Sequence, residues 1–92
     1  MTIYSTSELN RLFHALSNGY RRQILLRLHD EGRYSISQLA APFDISLAAI
    51  SKHVSVLVGA DLIKKKQEGQ EIYCSIKTQN LEGVLAYLEH IT

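Results

Sequence analysis

The sequence predicts a mainly α fold with a β-hairpin: four helices, two strands and a closing helix in a single domain spanning 1–92. Three observations predict it. Apolar residues recur at helical spacing near both ends of the chain. A helix with a hydroxyl cap and very small outer residues, 46–57, follows a short helix and a turn. After residue 62 the period shortens to strand-like alternation on both sides of Glu68-Gly69.

The first helix opens on Ser5 and Glu8, which have the spacing of a capping box. Leu9, Leu12, Phe13 and Leu16 then fall at i, i+3, i+4 and i+7, an apolar stripe. Asn18-Gly19 breaks it. A second helix runs from Tyr20 to Glu31, buries Tyr20, Ile24, Leu25 and Leu28, and ends at Gly32.

Next comes a short helix capped by Ser37, with Leu39, Ala40 and Phe43 turned inward. Asp44 supplies a turn and Ile45 the entry residue. Ser46 caps the following helix, whose Ile50, Val54 and Leu57 cluster on one face, with Leu47 and Val58 beside them. Ala48, Lys52, Ser55 and Gly59 lie opposite, and Ala48 with Ala49 keeps the first half thin. Two short helices joined by a tight turn form a helix-turn-helix, here about 36–59. Such a thin face suits the major groove of DNA; a plain solvated face is the alternative.

Leu62 to Gln67 and Gln70 to Ile76 form the hairpin, a wing over about 62–76. Ile72, Cys74 and Ile76 share one face. Lys64, Lys65 and Lys66 are placed to meet phosphates, with Gln67 or Gln70 reaching a minor groove. A lysine run also serves simply to discourage strand addition at a sheet edge. The last helix, about 78–91, is capped by Thr78 and carries Leu81, Val84, Leu85, Leu88 and Ile91.

Composition narrows the function. At 92 residues and 46% hydrophobic, the chain makes one small globular domain. A net charge of +1 argues against a strongly basic, nonspecific binder. The charge is segregated: Arg11 to Arg27 holds four arginines and no acid, and Ser46 to Lys66 holds four lysines against Asp61. One cysteine cannot form an internal disulfide, and no apolar run is long enough to span a membrane. The chain is expected to lack a signal peptide and to be cytoplasmic, at the nucleoid through DNA binding. No enzyme is expected, because no phosphate-cradling glycine loop and no nucleophile with a recognisable base are present.

Several motifs together resemble the ArsR/SmtB family of winged helix-turn-helix repressors. Leu12-Phe13-His14-Ala15-Leu16-Ser17-Asn18, followed by Arg21-Arg22-Gln23-Ile24-Leu25, resembles the family opening F-x-A-L-[AS]-[DN]-x-x-R-R-x-I-L. Ile45 to Leu57 resembles its recognition helix, S-x-x-x-[VI]-S-x-H-[LV]-x-x-L. Val58-Gly59-Ala60-Asp61-Leu62-Ile63 resembles x-x-A-G-L-[VI], and Glu68-Gly69-Gln70 with Ile72-Tyr73 resembles the wing tip and returning strand. The resemblance covers nearly the whole chain. It implies a winged helix-turn-helix homodimer that represses transcription by occupying an operator, often that of its own gene.

Two departures from the pattern matter. Asp61 stands where the family has glycine; aspartate tolerates the left-handed conformation at modest cost. Ser35 and Ser37 stand where metal-sensing members carry paired cysteines, and hydroxyls do not replace thiolates for soft metals. The last helix offers only Glu82, Glu89 and His90 toward the family's other metal site. The chain therefore resembles the short, non-metal, autorepressor-like branch, with no cofactor or metal expected; an inducer, small molecule or protein, is left open.

The expected DNA-facing residues are Ser37, Gln38, Ser46, Leu47, Ala48, Ala49, Ser51, Lys52, His53, Ser55, Lys64, Lys65, Lys66, Gln67 and Gln70. Ser37 and Gln38 would hold a phosphate at a helix N-terminus. His53 is either a packed, hydrogen-bonded histidine or a phosphate contact. The expected dimer interface is Leu9, Leu12, Phe13, Leu16, Leu81, Val84, Leu85 and Leu88, with mutual coverage of the terminal helices within one monomer as the alternative. His14 and His90 lie on those helices, where an interfacial metal site is conceivable. Cys74 reads as a small buried hydrophobe, with a redox role as the alternative. The rival function is a winged-helix protein-interaction module that binds no DNA; acidic or bulky apolar residues on the recognition face would favour it.

Overall fold

The computed structural model describes residues 5–77 and 79–92. Helix α1 (Thr6–Leu16) starts from the expected capping box, with the Ser5 hydroxyl accepting from Glu8 N–H and Glu8 accepting from Ser5 N–H. Helix α2 (Gly19–Glu31) is capped by Asn18, whose Oδ1 accepts from the N–H groups of Tyr20 and Arg21. Ser17 closes α1 and Asn18 starts the next helix. Gly32, at φ 86°, terminates α2 in a conformation that favours glycine.

A two-residue strand, β1 (Tyr34–Ser35), precedes α3 (Ile36–Ala40). The cap of α3 is Ser35 and not Ser37: the Ser35 hydroxyl accepts from Gln38 N–H while Gln38 Oε1 accepts from Ser35 N–H. The serine-to-glutamine spacing of a capping box explains the shift, since only Ser35 has Gln38 three residues on. Helix α4 (Leu47–Gly59) is capped by Ser46 as expected. Asp61 adopts the left-handed conformation its position requires, at φ 60°. It is held there by Lys77 Nζ, which donates to Oδ1 at 2.6 Å, and by the Asn80 amide.

Strands β2 (Ile63–Glu68) and β3 (Glu71–Ile76) form the wing hairpin, and β1 adds to its other side in the antiparallel order β1-β3-β2. The tight turn is Gly69-Gln70, one residue later than the sequence pattern implied, because Glu68 still pairs with Glu71. Gly69 takes φ 64°, the positive value that a two-residue hairpin turn needs at its first central position. Helix α5 (Leu81–Ile91) follows Asn80, whose side chain binds the Asp61 loop and not the helix N-terminus. The cap expected at Thr78 lies outside the described residues.

The core is drawn from every helix: Leu12 and Ala15, Ile24 and Leu28, Leu39, the stripe Ile50, Val54 and Leu57, and Val84, with Leu62, Ile63 and Cys74 from the wing base. Two expectations are corrected here. Leu12 and Val84 were placed on the partner-facing stripe, but they are 1% and 7% exposed within the monomer. Each sits on the side of its helix that faces the central bundle. Tyr20 is half-buried at the rim of the core; its hydroxyl donates to Asp44 Oδ1 and its ring packs edge-on against Phe43. The terminal helices do cover each other in part, through an edge-to-face pair between Phe13 and Tyr87. They still leave Phe13, Leu85, Tyr87, Leu88 and Ile91 exposed.

Candidate nucleic-acid interface

Helix α4 presents its small residues outward. Leu47, Ala48, Lys52 and Ser55 are exposed, while Ala49, Ser51 and His53 are half-buried. The buried stripe Ile50, Val54 and Leu57 fixes which way the helix faces. The thin face is therefore a consequence of core packing and not of surface chemistry alone. Ser46 Oγ accepts from Ala49 N–H at 3.1 Å, so part of its hydrogen-bonding capacity is spent within the helix.

Gln38 is exposed, but its side chain is occupied by the capping box; Ser37 beside it is exposed as well. In the wing, Lys64, Lys65, Lys66, Gln67 and Gln70 are all exposed. The strand register divides them. Lys65 lies opposite Cys74, and Lys64 and Lys66 lie opposite Ser75 and Tyr73. Directly paired residues share a face, so Lys64 and Lys66 point to one side of the hairpin and Lys65 to the other. Gln67 Nε2 donates to the Gly69 carbonyl, stiffening the tip.

Arg33 is a wing residue that sequence reasoning missed. Its guanidinium stacks 3.8 Å from the Tyr73 ring centroid and donates to Glu68 Oε2 at 2.7 Å. That hydrogen bond holds the Glu68 carboxyl below the usual range. The wing-tip acid is thus neutralised beside the lysines. No spacing reveals a pair 35 residues apart; only the pairing of β1 with β3 brings Arg33 alongside.

The arginines between Arg11 and Arg27 do not form the basic patch that their clustering suggests. Arg21 is 8% exposed. Its Nε donates to the Ala15 carbonyl at 2.8 Å, Nη2 to the His14 carbonyl, and Nη1 contacts His53 Nδ1 at 3.2 Å. Arg22 donates to the Leu16 carbonyl. Arg27 donates to the carbonyls of Gln38 and Leu39 and stacks on Tyr34. These guanidiniums satisfy carbonyls at the ends of α1 and α3, which helix geometry leaves without partners. The cations left to face a nucleic acid are chiefly lysines.

His53 joins this network on the packed side of α4. Its ring stacks on Tyr20 at 5.6 Å and its Nδ1 accepts from Arg21. Burial, and then the neighbouring Arg21 charge, push its pKa below 6.5. The groups facing it are Arg21 and Tyr20, the latter tied to Asp44. Protonation would place a second cation against Arg21. The unfolded chain therefore binds this proton more readily, and stability rises with pH. The contribution is present in full above the unfolded value of about 6.5 and is lost as pH falls through the lower folded value. Urea melts from pH 7.5 to 5 should show this loss, and His53→Gln should flatten it; equal slopes for the two proteins would contradict the assignment.

Cys74 is buried, and burial raises its thiol pKa, so it packs as a small hydrophobe. Among the described residues no group of three or more His, Cys, Asp or Glu side chains is placed to hold a metal ion, and no helix is long and apolar enough to cross a membrane.

This geometry has close counterparts among known proteins. Residues 16–66 match the family described as helix-turn-helix domain. Over 80 residues the chain is 34% identical to the transcriptional repressor SdpR of Bacillus subtilis, covering 87% of this chain and 88% of that protein. It is 27% identical over 74 residues to the arsenical resistance operon repressor of the same organism, covering 80% and 70%. An ArsR-like transcriptional regulator from Rhodococcus sp. RHA1 superposes with a TM-score of 0.86 at 33% identity, over 99% of this chain and 83% of that one. The helix-turn-helix, the wing and these relatives together place the chain in the ArsR/SmtB family of winged helix-turn-helix proteins, as a DNA-binding transcriptional regulator.

Proposed function

We propose that this regulator is a repressor that occupies an inverted-repeat operator as a C₂ homodimer. The observation that carries this reading is the exposed, small-residue face of α4 beside a lysine-bearing wing, two of whose nearby acids are paired while Glu71 stays exposed at the tip. Asp61 is bound by Lys77, and Glu68 by Arg33. Ser46, Leu47, Ala48, Ala49, Ser51, Lys52 and Ser55 enter the major groove, and Lys64, Lys65, Lys66 and Gln70 serve the flanking backbone and minor groove. The exposed apolar face of α1 and α5, namely Phe13, Leu85, Tyr87, Leu88 and Ile91, meets its copy in the dimer. Half-sites then lie about 34 Å apart or somewhat more. The reading needs no cofactor and places the protein in the cytoplasm, on its own promoter.

A footprint on the DNA upstream of the protein's own gene tests it: a protected inverted repeat is expected, and protection of no sequence over competitor DNA would defeat it. The wing is tested separately through salt. Each phosphate neutralised adds about 0.9 to the slope of log affinity against log salt. Because Lys64 and Lys66 point away from Lys65, the triple change to alanine should reduce the slope by about 1 to 2 per wing, or about 2 to 4 for the dimer, not by about 5 to 6. An unchanged slope would remove the wing from the interface.

A further inference from the structure

We propose that the protein selects its operator through thymine 5-methyl groups in the major groove, with Leu47 as the specificity-determining side chain. The inference rests on the reading of α4 as the helix that enters the groove.

Leu47 is the first residue of α4 and is 52% exposed. The helix already buries Ile50, Val54 and Leu57 completely, and the fold leaves about half of this leucine's surface uncovered. The other large exposed hydrophobics lie elsewhere: on α1 and α5, at Leu26 of α2 and at Ile72 of the wing. Leu47 is alone among them in standing on the DNA-facing helix. Ala48 and Ala49 follow it, with side chains too short to keep the helix off the floor of the groove.

The second strand of the argument is what this face lacks. Guanine is read through bidentate donors, above all arginine, and adenine through asparagine or glutamine. No arginine, asparagine or glutamine lies between Ser46 and Gly59. Four planar groups outside this helix are committed within the fold. Arg21 and Arg27 hold helix-end carbonyls, Gln38 closes a capping box, and Asn18 caps α2. Lys52 remains, a flexible point charge suited to phosphate. The one base-edge feature that an exposed leucine between a cap and two alanines can recognise is the thymine C5-methyl, which cytosine lacks and which sits in the major groove alone.

The test uses the full chain and duplexes that it enriches from a pool with a randomised centre. In the enriched duplexes each thymine is replaced singly by deoxyuridine, which removes the methyl and keeps the pairing edge. At one or more positions per half-site, binding should weaken about fourfold, the value of one methyl-sized group left unburied. Leu47→Ala, which removes the contact from both half-sites, should bind the thymine duplex about fifteenfold more weakly than the parent. The variant should also no longer distinguish deoxyuridine at those positions. Leu47→Gln should lose the same distinction. Leu47 is exposed, so both variants should melt with the parent protein. Equal binding of thymine and deoxyuridine duplexes would overturn the methyl assignment while leaving the interface standing. So would a deoxyuridine penalty that persists undiminished in Leu47→Ala. Failure to enrich any duplex would overturn the interface reading itself.

Discussion

Replacing Arg21 with methionine should destabilise the fold by about 3 kcal/mol, and so lower the melting temperature by roughly 10–20 °C. The side chain is 8% exposed and its guanidinium serves two carbonyls at the end of α1 and the ring of His53 on α4. Methionine fills a similar volume but donates nothing, so a part-buried ring nitrogen and two carbonyls lose their partner together. A hydrogen bond to a charged group contributes about 1.5–3 kcal/mol. The three contacts share one side chain, so their losses do not add in full. Arg21→Lys should recover only a minor part, because an ammonium on a flexible stem cannot span three acceptors in the fork geometry of a guanidinium. Thermal melts of the three proteins decide the matter. A methionine variant within about 1 kcal/mol of the parent would show that water replaces the guanidinium at small cost.

Leu85→Glu should convert the proposed dimer to a folded monomer and weaken operator binding on the order of 100-fold or more. Leu85 is 58% exposed in the monomer, so glutamate there should be tolerated by the protomer's own core. In a symmetric interface, however, the residue lies near its own copy, and two carboxylates would be buried in an apolar contact with no cation to pair them. The loss of affinity follows from linkage: two half-sites joined in one molecule bind far more tightly than either alone. Sedimentation and operator titration report the two effects independently. Val84→Glu makes a useful contrast, since Val84 is 7% exposed and belongs to the protomer core. That change should unfold the protein, not merely separate it. A Leu85→Glu protein that still sediments as a dimer would move the interface away from this face.

Much of the fold was legible from residue spacing. The capping box of Ser5 and Glu8, the Ser46 cap, and the stripe Ile50, Val54 and Leu57 are local patterns whose physics acts within one or two turns. The left-handed Asp61 was also legible, as a conformation that the motif demands and aspartate tolerates. Where local reading failed, a competing local pattern or a distant partner prevailed. Ser35 took the cap from Ser37 because Gln38 completes its box. Strand β1, two residues long, has no periodicity to detect and exists only because β3 supplies its hydrogen bonds.

The candidate interface divides in the same way. That Ala48, Lys52 and Ser55 face outward follows from the helical period once the buried stripe is known, whereas Leu47 falls beside that stripe by period and is 52% exposed only because it stands in the first turn. The roles of the cations did not follow. Arginines clustered from Arg11 to Arg27 suggest a basic surface in any count of charge, yet Arg21, Arg22 and Arg27 are turned onto helix-end carbonyls. Arg33 reaches the wing tip from outside the hairpin and neutralises Glu68 there.

The sequence by itself determined the order of the helices and the hairpin, the Ser5 and Ser46 caps, and the small outer face of α4, because each depends on neighbours a few residues away. Only the tertiary structure decided which charges are free and which apolar residues the chain's own core leaves exposed. Packing of α1 and α5 onto the bundle draws Leu12 and Val84 inward and leaves Leu85, Leu88 and Ile91 outside. A single apolar stripe does not say how much of its width the chain's own core will take. Likewise, a guanidinium's target is set by whichever unsatisfied carbonyl the fold brings within reach.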